Sequence, residues 1–234
     1  MNATLRQVDT VEEGLAFEAE LFSSAEQHVA VWQSATPALV APKAYQQRSG
    51  IEAAMQRSAE RDWPVYMRPS GGGTVPLGPG VLNLVMALTV PQGFGIHAGY
   101  QLLCEPIIAF GQTHGLDLTP GATPDSFCDG DWNLSAHHRK LVGTAQRLRP
   151  LRQGRVRLLA HALILAHDPV EVGAEAVDHF HRDLGLDPIR SDVHTTLQAE
   201  LGHFLPTLDQ IAAELIENAH EAIDGTPQLN STQL

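Results

Sequence analysis

Apolar residues recur along this chain in two rhythms. Over 11–23 (VEEGLAFEAELFS), Leu15, Phe17, Leu21 and Phe22 fall at helical spacing, and GIEAAMQRSAERD (50–62) reads as a second amphipathic helix. HVAVWQ (28–33), PALVAPK (37–43) and VYMR (65–68) read as short strands, the first two around a turn. SGGGTVPLGPG (70–80) fits neither helix nor regular strand. VLNLVMALTV (81–90) is apolar throughout, as a central strand is. GIHAGYQLLCEPIIAFGQTHG (95–115) is helical, with Pro106 predicted to kink or divide it. DWNLSA (131–136), KLVGTAQ (140–146) and RVRLLAHALILA (155–166) are predicted strands. Helical stretches follow near 169–184, 192–203 and 206–223, and the last ten residues, from Gly225, read as frayed. Strands joined by short turns, without regular βαβ alternation, predict an α+β fold: a mixed, largely antiparallel sheet flanked by helices.

Composition narrows the class. With 234 residues, 43% hydrophobic and 18% charged, the chain can bury a core and is not a disordered chain. No apolar run reaches the ~20 residues of a membrane span, and the N-terminus lacks a basic head followed by an apolar stretch. Two cysteines, Cys104 and Cys128, are too few for a disulfide scaffold, and a cytoplasmic location is the expectation. Lys+Arg number 15 against 27 Asp+Glu, a net charge of −12, which argues against nucleic-acid or anionic-membrane partners. The exception is local: Arg139, Lys140, Arg147, Arg149, Arg152, Arg155 and Arg157 cluster in one stretch. Such a stretch is an anion site, a docking patch for an acidic partner, or simply a solvated strand.

Three segments carry candidate chemistry. In Arg68-Pro69-Ser70-Gly71-Gly72-Gly73-Thr74, three glycines let backbone N–H groups approach a ligand closely, while Arg68 can add a charged fork and Ser70 a hydroxyl. No GK[ST] follows, so it is not a P-loop, and read alone it is as well a plain hairpin connection. In Arg139-Lys140-Leu141-Val142-Gly143-Thr144-Ala145-Gln146-Arg147, Lys140 is one of two lysines, and Gly143 and Ala145 leave room beside it for something packed closely. His161, inside the apolar 159–165 strand, reads alone as a hydrogen-bonded core residue. His179 and His181 form H-x-H without a third ligand, His137-His138 lies in a turn, and no metal site is expected.

These segments, in this order, resemble the lipoate–protein ligase and octanoyltransferase superfamily, which shares its catalytic module with biotin–protein ligases. The family pattern R-R-x-S-G-G-G-[AT]-V is matched by Met67 through Val75. Leu82-Asn83 matches a following L-N strand, Arg139 through Arg147 the G-R-K-[IV]-x-G-[ST]-A strand, and Ala160 through Leu165 the H-H-G strand. Met67 replaces the first arginine, Pro76-Leu77-Gly78-Pro79 stands where the family has His-Asp, and Ala162 replaces a glycine. The resemblance implies a catalytic domain over 1–190, with 191–234 a helical extension packed on it. It also implies attachment of a lipoyl or octanoyl group to a lysine of a lipoyl-carrier domain, of glycine cleavage H protein or 2-oxoacid dehydrogenase E2 type. Arg68, Ser70, Gly71, Gly72, Gly73, Thr74, Asn83, Gly143, Thr144, Ala145 and His161 would bind the substrate. Lys140 would bridge the acyl carbonyl and phosphate oxygens of an acyl-adenylate, made from lipoate or octanoate with ATP and Mg2+.

Cys128, in Pro124 through Trp132, opens an alternative, because one octanoyltransferase branch carries a nucleophilic cysteine in the equivalent loop. There the acyl group passes from a carrier, such as acyl carrier protein, to the thiol and then to a lysine without ATP. A catalytically idle acyl-binding member is the third reading. Cys104 reads as a packed helix residue. The carrier is expected to dock near 139–157.

Overall fold

The computed structural model describes residues 5–167 and 169–230. Its elements, in chain order, are β1 (Arg6–Val8), α1 (Val11–Ser23), β2 (His28–Ser34), β3 (Ala38–Pro42), α2 (Ile51–Glu60), β4 (Val65–Arg68), β5 (Val75–Leu77), β6 (Val81–Pro91), α3 (Ile96–Thr113), β7 (Thr119–Pro120), β8 (Leu134–Ala136), β9 (Arg139–Pro150), β10 (Arg155–Leu165), α4 (Val170–Asp183), α5 (Leu197–Leu201), α6 (Leu208–Asp224) and α7 (Pro227–Asn230). Seven strands form one sheet, ordered β1-β2-β6-β10-β9-β8-β7, and β4-β3-β5 form a small second sheet. In the large sheet only β1–β2 is parallel. This is the α+β architecture that the apolar pattern predicts.

The central strands are apolar at nearly every position because both faces of the sheet are covered. Alternate residues go to opposite sides. Leu82, Leu84, Met86, Leu88 and Val90 of β6 join Leu158, Ala160, Ala162 and Ile164 of β10 in a core closed by α3 and α6. Val85 and Ala87, with Leu159, Leu163 and Leu165, face the other core, closed by α1, α4 and the small sheet. Asn83 and His161 have the same parity as that second set. The register pairs Leu163 with Asn83 and Gly143, and His161 with Val85 and Ala145. One patch of the sheet beneath α1 therefore carries polar or very small side chains.

The structure corrects several local expectations. The 70–80 stretch contains a strand: β5 pairs with β3 at the edge of the small sheet, where Pro76 needs to supply no ladder N–H. β2 and β3 are not partners but belong to different sheets. α3 runs undivided through Pro106. Burial of Leu102, Leu103, Ile107 and Phe110 on one side outweighs the ~3 kcal/mol such a proline costs. Strand β8 spans only 134–136, and β9 extends to Pro150. The helix expected over 192–203 is broken: Thr195 donates its N–H to the Lys140 carbonyl, and only α5 is α-helical, capped by Thr196. The segment read as an extension packs on the sheet, placing Ile211, Ala212, Leu215 and Ala219 in the first core. Of the tail expected to fray, 225–230 includes α7, and 231–234 lie outside the described residues, as do 1–4.

Helix α1 begins with Thr10 accepting the Glu13 N–H at 3.3 Å, and Glu13 reaches back to the Asp9 N–H at 3.1 Å. Its buried stripe is Val11, Gly14, Glu18 and Phe22. Gly14 lies against the Trp32 indole, where any added Cβ would overlap the ring. Gly14→Ala should therefore push α1 off the sheet, at about 1–3 kcal/mol for overpacking. Thermal unfolding should show Tm lowered by roughly 5–10 °C for a chain of this size; an unchanged Tm would mean that α1 is not seated on Trp32.

Candidate functional site

The site is organised around the loop from Thr123 to Asn133. Lys140, on β9, is completely buried, and its ammonium points into this loop. It donates to the Phe127 carbonyl in a short bond and to the Cys128 carbonyl at 2.9 Å, and sits 4.8 Å from the centre of the Phe127 ring. Asn133 Nδ2 adds a second donor to the Cys128 carbonyl at 3.1 Å. Burial lowers the Lys140 pKa to about 8, against the opposing pull of Cys128 and Asp129. His194 stacks on the Phe127 ring at 4.2 Å. Its Nε2 accepts the Phe127 N–H at 3.2 Å, and its Nδ1 faces the Ser191 carbonyl. Burial, then the Lys140 charge, push His194 down to about 4, so it is neutral at pH 7 and can accept at Nε2.

The glycine turn closes on the same cysteine. Gly73 donates its N–H to Cys128 Sγ at 3.0 Å. Arg68, nearly buried, spends its guanidinium on the carbonyls of Val40 (2.9 Å), Gly71 (2.9 Å) and Gly73 (2.7 Å), with Nη2 3.9 Å from Sγ. Burial lowers the Arg68 pKa, countered by Cys128 and Glu18. A Cβ on Gly72 would come within 2.7 Å of Sγ, and Gly72 has a φ of +98°; a Cβ on Gly73 would lie 3.2 Å from Cys128 Cα. The run of glycines thus has a steric reason: the turn packs directly on the cysteine. Cys128 itself has a φ of +48°, which for a non-glycine residue is a strained conformation held by these bonds.

Cys128 is half-buried and lines a narrow, mainly apolar cleft of about 40 Å³. Val40, Val75, Leu77 and Leu163 form its walls, and Asn83, Gly143, Thr144, Ala145 and His161 its polar and small side. On one flank it shares Leu15, Glu18, Arg68 and His161 with a wider cleft of about 430 Å³, which also takes in Ser70, Lys43 and Arg147. On the other, Cys128 borders an opening beside Gly71, Gly72, Tyr100 and Trp132, the last two stacked at 5.7 Å.

Of the residues singled out from sequence, Arg68, Cys128, Asn83, Gly143, Thr144, Ala145 and His161 line the narrow cleft, and Ser70 the wider one. Thr144 Oγ1 donates to the Trp132 carbonyl at 2.8 Å, and Thr74 is buried with its hydroxyl unpartnered. Lys140 lines neither cleft; it reaches the site through the carbonyls on either side of the Phe127–Cys128 junction. Cys104 is buried in α3, its pKa raised to about 12 by burial, as for a packed residue. His181 is buried against the Asp187 carbonyl, and no cluster among the described residues offers three metal-ligating side chains. Sequence reasoning missed Phe127, His194 and Glu18. Only Glu18 leaves a signal, as a carboxylate on the buried stripe of α1.

The chain belongs to the lipoyl protein ligase A/B catalytic domain family, whose profile matches residues 10–217. Among the proteins it resembles are some named as octanoyltransferases and lipoate–protein ligases, enzymes that attach acyl groups to protein. An uncharacterised protein of Cupriavidus necator is 37% identical over 182 residues, 72% of this chain and 71% of that one. An octanoyl-[GcvH]:protein N-octanoyltransferase of Kyrpidia tusciae is 33% identical over 149 residues, 61% of this chain, and the match spans about half of that protein (50%). The fold matches lipoate-protein ligase A bound with ATP (TM-score 0.70, 15% identity, 99% of this chain and 92% of that one). It also matches a bipartite lipoate protein ligase of Thermoplasma acidophilum (TM-score 0.68, 16% identity, 99% and 90%). No helix among the described residues is long and apolar enough to cross a membrane.

Because its pKa falls on burial, folded Lys140 binds fewer protons than unfolded Lys140 between pH about 8 and the ordinary lysine value of ~10.4. Stability from this group is therefore gained as pH rises through that window and lost as pH falls through about 8. Lys140→Met should be destabilised, by leaving buried carbonyls unpaired. Its Tm deficit against the parent should widen by at least ~3 °C between pH 8 and 10. A pH-independent deficit would show that the ammonium is not held as described.

Proposed function

We propose that this chain is a cysteine-dependent acyltransferase. It moves an octanoyl or lipoyl group from a carrier to Cys128 as a thioester, then to the ε-amine of a lysine on a lipoyl-carrier domain. The observation that carries this reading is the commitment of both buried cations to the cysteine. Lys140 spends its ammonium on the Phe127 and Cys128 carbonyls, and Arg68 its guanidinium on the glycine turn that rests on Sγ. Neither is free to bridge an acyl carbonyl and a phosphate. Cys128 meanwhile presents its sulfur to a narrow, mainly apolar slot walled by Val40, Val75, Leu77 and Leu163, which would have to widen to admit an acyl chain. The octanoyltransferase relative supports the same reading.

The steps follow from elementary acyl chemistry. The Cys128 sulfur attacks the donor carbonyl, the C–S bond forms as the bond to the carrier's leaving group breaks, and the thiol proton passes to that group. The Gly73 N–H already points at the sulfur and helps fix its position. The acceptor amine then attacks the thioester carbonyl, the C–N bond forms, and the electron pair of the C–S bond returns to Cys128.

A second reading, an ATP-dependent ligase, is favoured by one observation. Lys43 and Arg147 line the wider cleft beside Ser70, and Arg147 Nε is buried there without a partner. ATP, with Mg2+ carried mainly on its phosphates, would have to be held there.

Intact-mass measurement separates the two. With an acylated carrier as donor and no nucleotide, an acyl adduct should appear and map to Cys128. Cys128→Ala should lower transfer to a lipoyl-carrier domain by at least ~10³-fold. Modification that requires ATP plus free acid and survives Cys128→Ala would favour the ligase.

The basic strip continues from the cleft along β9, where Arg149 packs on Phe22 at 4.8 Å and Arg152 lies in an open groove with Arg155. A carrier with an acidic surface would be steered there. Arg149→Glu with Arg152→Glu should raise the KM for the carrier about 5-fold or more at low salt, the effect fading as salt is added. An unchanged KM would place docking elsewhere.

A further inference from the structure

Transfer from a thioester to lysine needs a base, because the acceptor arrives as an ammonium ion and must lose its proton before or as it attacks. Lys140 is fully buried, lines neither cleft and has its ammonium committed to the Phe127 and Cys128 carbonyls. A different chain of groups crosses the wall that the two clefts share. Glu18, 5% exposed, accepts the Trp32 indole N–H at 3.0 Å through one oxygen and faces His161 Nδ1 at 3.0 Å with the other. His161 Nε2 lies 3.0 Å from Ser70 Oγ. Burial alone would raise the Glu18 pKa; the charge and hydrogen bond of His161, the Trp32 N–H and the Arg68 charge outweigh it and hold the carboxyl below its ordinary value. An ionised carboxylate only accepts, so Nδ1 carries a hydrogen, and in the neutral ring Nε2 is the acceptor, with the Ser70 hydroxyl as donor.

We propose that Glu18, His161 and Ser70 form a proton relay that takes the proton from the acceptor lysine as it attacks the acyl group on Cys128. This rests on the cysteine reading above. In the step, the amine nitrogen bonds to the acyl carbon. Its proton passes to Ser70 Oγ as the Ser70 proton passes to His161 Nε2, and the C–S electron pair returns to Cys128 Sγ. The imidazolium later releases its proton to solvent through the wider cleft. Glu18 touches no substrate: it is a positioning residue that fixes the ring and its tautomer and balances the charge that forms.

Packing alone does not account for this chain of groups. A carboxylate on the buried stripe of an amphipathic helix costs desolvation that an apolar residue of similar size would avoid. The three groups are also not a closed structural network, since Glu18 and His161 line both clefts and Ser70 lines the wider one. The position is suitable as well: Ser70 stands two residues before Gly72, whose Cα faces Sγ closely enough that no side chain would fit between them.

The test isolates the second half-reaction in the full-length chain. Acyl-Cys128 is formed from an acylated carrier, separated, and discharged by a lipoyl-carrier domain or by hydroxylamine, an amine that is uncharged at neutral pH and needs no base. In Glu18→Gln and in His161→Ala, discharge by the lysine should fall by about 10²-fold or more, the usual scale of general-base assistance. The ratio of lysine to hydroxylamine discharge should fall at least tenfold, and added imidazole should restore lysine discharge to His161→Ala. A ratio equal to that of the parent in both variants would reduce the three residues to a packing role and overturn the relay. An acyl group mapped to Ser70 would make the serine a nucleophile and overturn it too. If the parent forms no acyl-cysteine at all, the cysteine reading fails and the relay fails with it, a result distinct from a normal acyl-enzyme with an unchanged ratio.

Discussion

An ammonium group cut off from water must find its hydrogen-bond partners in the protein, and Lys140 finds them in the carbonyls of Phe127 and Cys128. Much of the site can be read as a consequence. The two carbonyls can converge on one nitrogen only if the chain turns sharply between them, and Cys128 accordingly takes a left-handed backbone conformation. That turn presents Sγ to the triple-glycine segment, which can approach because it carries no Cβ. Phe127 is held by the ammonium near its ring and by a neutral His194 stacked on it. His194 can accept the Phe127 N–H because burial and the Lys140 charge keep its ring unprotonated. Remove the amine at position 140, and the Phe127 and Cys128 carbonyls lose their common partner, and with it the loop its anchor.

The sheet supplies the rest. A strand buried on both faces is usually apolar at every position, so the polar and small residues of the central strands stand out. Asn83, Gly143, Ala145 and His161 occupy neighbouring places on one face, and the space they leave is where the narrow cleft forms. Helix α1 crosses above this patch. It buries Glu18 over His161 rather than an apolar residue, and Gly14 lets it come down onto Trp32. The cleft thus arises from ordinary packing with a few side chains withheld or replaced.

The apolar rhythm of the sequence makes most elements legible: α1 and β4 stand at their predicted limits, and the remaining long elements lie within a few residues of theirs. What the rhythm does not carry is pairing. The Gly- and Pro-rich stretch hides β5 because a three-residue edge strand needs little local preference once β3 offers a partner. The 192–203 region reads as helix by composition, yet the Lys140 carbonyl captures Thr195. Of the site, the glycine turn, Lys140 and Cys128 are visible in the sequence as chemical types. Their relation is not: the glycine turn meets Cys128 at Sγ and Lys140 meets it at the backbone carbonyl, contacts between segments that lie far apart in sequence. Glu18, Phe127 and His194 stay hidden because their roles come from long-range contacts.

The division into two clefts bears on the chemistry itself. A ligase must hold a nucleotide, an acid and a metal together, and stabilise charge on phosphate, so it needs cations free to face the ligand. A thioester transferase needs an apolar slot for the chain, a sulfur at its mouth, and a basic group beside the path of the incoming amine. Here the slot and sulfur coincide, and the wall between slot and outer cleft is built from Glu18, Arg68 and His161. Of these, Arg68 is turned inward to hold the glycine carbonyls, Glu18 is bonded to Trp32 and His161, and the His161 ring meets Ser70 at 3.0 Å. In the proposed transfer, the acyl chain would occupy the slot that Cys128 lines and the amine would come to it across this wall, so that the two substrates need not share one space.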